Sequence, residues 1–378
     1  MLVTNFEKRR DLDAVSIDGK ARPQSIKLPL DAIVKRIQIR AVCQFSVTYA
    51  SGTPVADVAG FIGRLTSNID LVVNGGTTIK SVDANILSRQ QMLIQGNPAE
   101  RAWSSGAAAF TTNEAVTEAA PGAIPFTWPA TTEFVNLNET VMMYLENPFI
   151  YNTGKMASLL DLRSKADAFL RFNFADISNI MAAQASMPSV TYGAIIGSVT
   201  ATLIEGSGQD VDAVGKGNLW YFKETFFSSD FSGQTTERRL DVRGNGYLCG
   251  LQLFSRNGDV TKAPSDTVIT KVQLAVDGLN RGINTTFKAL QQDNRSRFGV
   301  DAKKTAGVHA LKGFAFLNLI KNGDAASALW TGPVPSGQTG VKTCDLVVNS
   351  AASSGTDAAT YTNPVQLQVQ QMEMVPQQ

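Results

Sequence analysis

The sequence predicts an all-β protein built as two tandem domains of one plan. Three observations predict it. Apolar residues recur with a period of two wherever they recur at all, helical periodicity is confined to two short stretches, and elements of the first half of the chain return in order in the second. A length of 378 residues suits two or three cores of about 120 to 190 residues and exceeds one small module. Hydrophobic residues make up 43% and charged residues 18%, which fits a packed β protein better than disorder or long solvated helices.

The first strand is read from Ile37, Ile39, Ala41, Cys43, Phe45 and Val47, interleaved with Gln38, Arg40, Gln44, Ser46 and Thr48. One side-chain face of such a run lies inward and the other outward. Further runs are Ile69-Leu71-Val73, Val199-Ala201-Leu203, Leu251-Leu253, Val272-Leu274-Val276 and Val365-Leu367-Val369, punctuated by Gly, Pro, Asn-Gly and Asp-Gly. A 3.6 period links Val82, Ile86, Leu87 and Leu93, and more weakly Phe287, Leu290 and Phe298, predicting two short helices in connecting segments.

The repeat fixes the organisation. SIKLPLDAIVKRIQI at 25–39 aligns without gaps on RLDVRGNGYLCGLQL at 239–253, placing Ile26 on Leu240, Leu28 on Val242, Val34 on Leu248 and Ile39 on Leu253. NIDLVVNG at 68–75 aligns on KVQLAVDG at 271–278, and each is followed by its short helix, ILSRQQ in one half and ALQQDN in the other. The expected boundaries are an N-terminal basic arm at 1–24, a first roll at 25–206, a linker and lead-in at 207–238 and a second roll at 239–378. Seven or eight strands with long excursions suit a two-sheet sandwich of jelly-roll type, with a barrel or an immunoglobulin-like sandwich as competing topologies.

Catalytic chemistry finds little support. The one histidine, His309, excludes every mechanism or metal site that needs two imidazoles. Cys43, Cys249 and Cys344 lie far apart with no C-x-x-C spacing and read as small buried apolar residues. Glu133, Glu139, Glu146, Asp161 and Asp167 could in principle supply a glycosidase pair, but ordinary solvated carboxylates are the better reading. The glycines Gly244, Gly246 and Gly250 follow no strand-to-helix unit and cradle no phosphate, and Asp210-Val211-Asp212 lacks an EF-hand donor series. No cofactor or metal is expected.

Charges and loops point to association. With 34 basic and 33 acidic side chains the chain has no global field for nucleic acid and associates readily. Charges near the N-terminus leave no room for a secretion signal, and residues 177–204 are too interrupted for a membrane span, so synthesis as a soluble cytoplasmic chain is expected. The first forty residues carry nine basic and five acidic side chains, among them Lys8, Arg9 and Arg10, a suitable arm for an anionic surface or a neighbouring subunit. Residues 96–133 and 323–340 are long excursions holding Trp103, Phe110, Trp128 and Trp330, candidates for surface or intersubunit loops because such aromatics are costly when exposed.

The repeat, the SIKLPLDAIVKRIQI opening, the RLTSNIDLVVNGGTTIKSVDA block and its partner KVQLAVDGLNRGINTTFKALQQDNRSRFG together resemble the double jelly-roll major capsid proteins of tailless icosahedral bacteriophages, the lineage that includes tectiviruses, corticoviruses and adenovirus hexon. The resemblance covers nearly the whole chain and lies in the arrangement, not in a short motif. It implies two tandem eight-stranded jelly rolls with short helices in connecting loops. It further implies a non-enzymatic structural protein that forms pseudo-hexameric homotrimers tiling an icosahedral virion shell after synthesis in the host cytoplasm. The implied partners are other copies of the chain, penton and minor capsid proteins and, where the virus has one, an internal lipid membrane, with no sequence-specific nucleic acid. Lys8, Arg9 and Arg10 would face the interior, and removing residues 1–15 would spare the trimer. The alternatives are a carbohydrate-binding or carbohydrate-cleaving double β-sandwich, supported by Trp103 and Trp128 alone, and a receptor-binding spike.

Overall fold

The computed structural model describes residues 8–49, 61–96, 101–105, 133–150, 158–176, 190–206, 220–231, 235–256, 264–300, 311–321, 323, 327–334, 340–351 and 365–377. They fall into two units. The first takes the described residues of 1–144 and 161–206, and the second those of 145–160, 209–301 and 311–378.

The first unit holds β1 (Lys8–Asp11), β2 (Val15–Ile17), β3 (Pro23–Lys27), β4 (Ile33–Tyr49), α1 (Phe61–Leu65), β5 (Thr66–Val73), β6 (Thr77–Val82), α2 (Ala84–Gln95), β7 (Arg101–Ser105) and β8 (Glu133–Tyr144). After β9 (Leu160–Asp161), at the return from residues 145–160, come β10 (Ala168–Phe174) and β11 (Val190–Glu205). One antiparallel sheet runs β1-β11-β4-β8-β7, with β2 also on β11; the other runs β3-β10-β5-β6. The second unit holds β12 (Trp220–Phe231), β13 (Thr235–Asp241), β14 (Tyr247–Arg256), β15 (Ile269–Val276), β16 (Leu279–Thr286), α3 (Phe287–Arg297), β17 (Phe314–Asn318), β18 (Leu329–Trp330), β19 (Cys344–Ser350) and β20 (Val365–Pro376). Its sheets run β12-β20-β14-β17, with β18 on β14, and β13-β19-β15-β16.

Counting the principal strands of each unit in chain order, with β1 and β2 together as the first, both units read 1-8-3-6 in one sheet and 2-7-4-5 in the other. That order is the jelly roll, in which two Greek keys wrap around one core. It excludes the barrel and the immunoglobulin-like sandwich. The period-two faces supply the cores. Ile37, Ile39, Ala41 and Cys43 of β4 are fully buried beside Leu203, Ala201 and Val199 of β11, and the second sheet contributes Ile69, Leu71, Leu170 and Phe172. In the second roll Leu251, Leu253, Leu274, Val276, Leu346, Leu367 and Val369 form one contiguous cluster, each large aliphatic side chain stabilising by about 2 kcal/mol.

Three expected boundaries change. Residues 8–17 are no arm: β1 and β2 pair with β11 and make the first strand of the first roll. The segment KRRD lacks apolar alternation, yet an edge strand needs only backbone pairing, and charge on it discourages stray partners. The expected linker contains β12, paired along its whole length with β20 as the first strand of the second roll. Residues 145–160 leave the first roll for the second unit, where the Phe149 ring lies 4.7 Å from that of Phe316 and 5.7 Å from that of Phe298. Both predicted helices are present, as α2 and α3.

Candidate assembly site

The two rolls repeat individual hydrogen bonds as well as strand order. The β5–β6 turn is Asn74-Gly75 and the β15–β16 turn is Asp277-Gly278, with φ of 50° at Asn74 and Asp277 and of 73° and 75° at the glycines. The first loop has a third residue, Gly76, and the second has two; both need left-handed backbone at these positions, which Asn, Asp and Gly tolerate. Each turn is tied to the stretch before strand 7. Asn74 Oδ1 accepts the Ala166 N–H at 2.9 Å, and Asp277 Oδ1 accepts those of Lys342 and Thr343 at 2.7 and 2.9 Å. The Asn74 N–H donates to the Asp167 carbonyl at 3.1 Å and the Asp277 N–H to that of Thr343 at 2.9 Å. Beyond the other ends of these strands, the Ala175 N–H donates to Leu65 O at 2.8 Å and the Ala351 N–H to Val268 O at 2.9 Å.

The helices are fastened alike. The Asp83 carboxylate caps α2 by accepting the Asn85 N–H at 2.7 Å, and the Thr286 hydroxyl caps α3 by accepting the Ala289 N–H at 3.2 Å. Further along, Gln91 Oε1 accepts the Met142 N–H of β8 at 3.2 Å, while Asn294 Oδ1 accepts the Phe316 N–H of β17 at 2.6 Å and Asn294 Nδ2 donates to the Phe316 carbonyl at 2.7 Å. A helix amide here satisfies backbone that an adjacent strand would otherwise pair. Gln91 and Asn294 are the last residues of the aligned ILSRQQ and ALQQDN, so the signal was present in the alignment, but its role was not.

Strand 8 of each roll carries a glutamate facing a lysine of strand 1. Glu205 pairs with Lys8 across β11 and β1, and Glu373 with Lys223 across β20 and β12. In the first roll Glu205 takes Lys8 Nζ at 3.1 Å and Arg10 Nε at 2.7 Å, and Arg10 also reaches Asp31 at 2.5 Å. The Arg10 guanidinium holds the Asp31 carboxyl below the usual carboxylate range. Two of the three cations expected to face a membrane are thereby committed to the roll's own acids; Arg9 is exposed on the other side of β1. In the second roll Glu373 is 2% exposed, and burial raises its carboxyl above the ordinary glutamate range, opposed by Lys223, the Gln371 side chain and the Asn245 backbone.

The remaining candidates are distributed, not gathered. Trp330 is half-buried in β18, its ring 4.7 Å from Tyr247 and edge-on to it, and Trp220 lies 5.7 Å from Tyr247 on the other side. These rings spend their faces on one another, so Trp330 packs within the second roll instead of standing in a free loop. Trp103 is in β7, but its side chain lies outside the described residues, as do Phe110, Trp128, His309 and Asp210-Val211-Asp212 entirely. Glu139 accepts the Ile62 N–H at 2.7 Å, Asp167 accepts the Gly75 N–H at 2.8 Å, and Asp161 is held below the usual carboxylate range by Arg163 Nε at 2.9 Å. These three acids serve the scaffold separately. Cys43, Cys249 and Cys344 are buried free thiols, and burial pushes the latter two up to about 12. Among the described residues, no helix is long and apolar enough to cross a membrane.

No protein-family model and no curated protein matches the chain in sequence. Solved structures match its fold over nearly its whole length. The crystal structure titled as that of the STIV MCP, the Sulfolobus Turreted Icosahedral Virus protein, is similar with a TM-score of 0.61 and 15% identity, covering 97% of this chain and 96% of that one. The major capsid protein P2 from bacteriophage PM2 gives 0.52 and 11%, covering 99% and 98%. PBCV-1 VP54, fitted into a reconstruction of the virophage Sputnik, gives 0.50 and 12%, covering 99% and 95%. The chain has the double jelly-roll fold of these proteins.

Proposed function

We propose that this chain is a major capsid protein, a non-enzymatic building block that forms pseudo-hexameric homotrimers and tiles an icosahedral virion shell. The observation that carries the reading is the duplication. One jelly roll occurs twice, with the same strand order and the same bonds at Asn74 and Asp277, at Gln91 and Asn294, and at Ala175 and Ala351. Two like rolls in one chain allow three chains to present six near-equivalent corners, and a closed symmetric ring of that kind can tile a shell. The likeness to the STIV and PM2 proteins over almost their full lengths supports it. Its partners are other copies of itself, neighbouring capsomers and penton and minor capsid proteins, and its place is the virion after synthesis in the host cytoplasm. Any contact with an internal membrane rests on Arg9 and whatever precedes it, since Lys8 and Arg10 are paired. Light scattering on the chromatographically purified chain, followed by electron microscopy, tests the reading. Trimers with a six-cornered outline are expected; a monomer that stays monomeric at micromolar concentration refutes it.

A further inference from the structure

We propose that Glu373 is a proton-operated latch on the second roll, closing the end of β20 when it carries a proton and loosening it when it does not. The geometry starts from the repeat. Glu205 faces Val34 on β4 as Glu373 faces Leu248 on β14, so the two glutamates hold equivalent places at the ends of their strands. The first roll surrounds its glutamate with charge, Lys8 at 3.1 Å and Arg10 at 2.7 Å. At Arg10's place the second roll has Thr225, opposite Gln371, and at Asp31's place it has Asn245.

Glu373 is covered instead of neutralised. A Cβ at Gly244 would lie 1.1 Å from Glu373 Oε1, so the carboxyl fills space that this glycine leaves open, and one at Gly246 would lie 2.1 Å from the Met374 carbonyl oxygen, so the cover also lies close on the backbone of β20. Thr331 pins that cover: its N–H and hydroxyl reach the Gly246 carbonyl at 2.9 and 3.1 Å, and its Oγ1 accepts the Gly244 N–H at 3.2 Å. Glu373 Oε1 is buried beneath, with no hydrogen-bond partner of its own among the described residues, while the Gln371 side chain and the Asn245 backbone favour the charged carboxyl only in part. The groups facing the carboxyl are Lys223 from β12, Gln371 from β20 itself, Asn245 from the cover, and the apolar Leu248 and the buried Cys249 thiol from β14, the thiol itself pushed up to about 12 and so neutral across the carboxyl's range. Burial disfavours the ionised carboxyl there more than the neutral one, and Lys223, Gln371 and Asn245 offset only part of that cost.

The sign follows from burial. The folded carboxyl holds its proton more tightly than the unfolded one. The latch is therefore closed in full below the ordinary glutamate range and opens as pH rises through the folded group's own range. Thermal unfolding of the full chain is read by tryptophan fluorescence from about pH 3 to about pH 9, a span that brackets the ordinary glutamate range. The midpoint of the second-roll transition should fall by several degrees with rising pH in the parent chain. Glu373→Gln should abolish that step, and Lys223→Met, lacking the facing cation, should move it to higher pH. Glu205→Gln should leave it in place. A step that survives in Glu373→Gln, or one of opposite sign, overturns the latch. Should Glu373→Gln fail to fold, a step that stays put or moves down in Lys223→Met overturns it equally. Neither result bears on trimer formation.

Discussion

Asp277 offers the sharpest test of the repeated turn. Its carboxylate accepts two backbone N–H groups, at 2.7 and 2.9 Å, while its own backbone sits at φ 50°. Asp277→Ala removes both hydrogen bonds to Oδ1, each worth about 1 kcal/mol at an exposed position where water partly replaces it. Alanine in left-handed backbone costs about 1 kcal/mol more. The sum is about 3 kcal/mol, a fall of roughly 6–12 °C in the midpoint of a roll of this size. Asp277→Gly relieves the strain but not the lost bonds, so about 2 kcal/mol should go. Asp277→Asn keeps an acceptor oxygen and tolerates the backbone, and should stay within about 0.5 kcal/mol of the parent. Denaturant unfolding of the three variants measures all of these. Equal stability of Asp277→Ala and Asp277→Asn would refute the reasoning, as would a parent-like Asp277→Gly.

Leu71→Asp and Leu274→Asp each put a charge into a core where the leucine is at most 2% exposed, and each should cost more than about 4 kcal/mol and unfold its own roll, visible as lost trimers on a sizing column. Deleting residues 1–15 strips β1 from β11 together with the Lys8 and Arg10 ion pairs, so it should destabilise the first roll and cause aggregation through the bared edge, measured by light scattering; a fully stable truncated trimer would restore the detached arm. The three buried thiols should resist a disulfide reagent in the native chain at pH 8 and react together on unfolding, and one fast native thiol would contradict their burial.

Much of this fold was legible because duplication gave each signal a second reading. The burial pattern of TSNIDLVV in β5 and of ITKVQLAV in β15 is the same residue by residue, although the two share few identical side chains. Ile69, Leu71 and Val73, like Val272, Leu274 and Val276, keep the period-two inward face, and Val72 and Ala275 are buried from the other side as well. The first strand of each roll escaped for a physical reason. β1 is KRRD, held by backbone pairing and by ion pairs to a glutamate almost two hundred residues away, and neither leaves a local periodicity. β12 lies outside the aligned segments, so the repeat carries no signal for it. The Glu205 and Glu373 equivalence was hidden because register shifts, between Ile204 and Glu205 and between Leu248 and Gly250, break the spacing beside each glutamate. Trp330 reads from sequence as a surface or intersubunit loop residue because its partner, Tyr247, is distant in sequence and only the β14–β18 pairing brings the rings together.

In both rolls the eighth strand is laid between the first and the third, so β20 fills a slot whose two walls, β12 and β14, are made far earlier in synthesis. A nascent polypeptide thus cannot shut its second roll until residues 365–376 have cleared the ribosome, and a product cut short before them presents two bare strand edges and an open apolar interior. Chaperones and proteases recognise such surfaces. Completeness of translation is in this way checked by topology before the second roll can close.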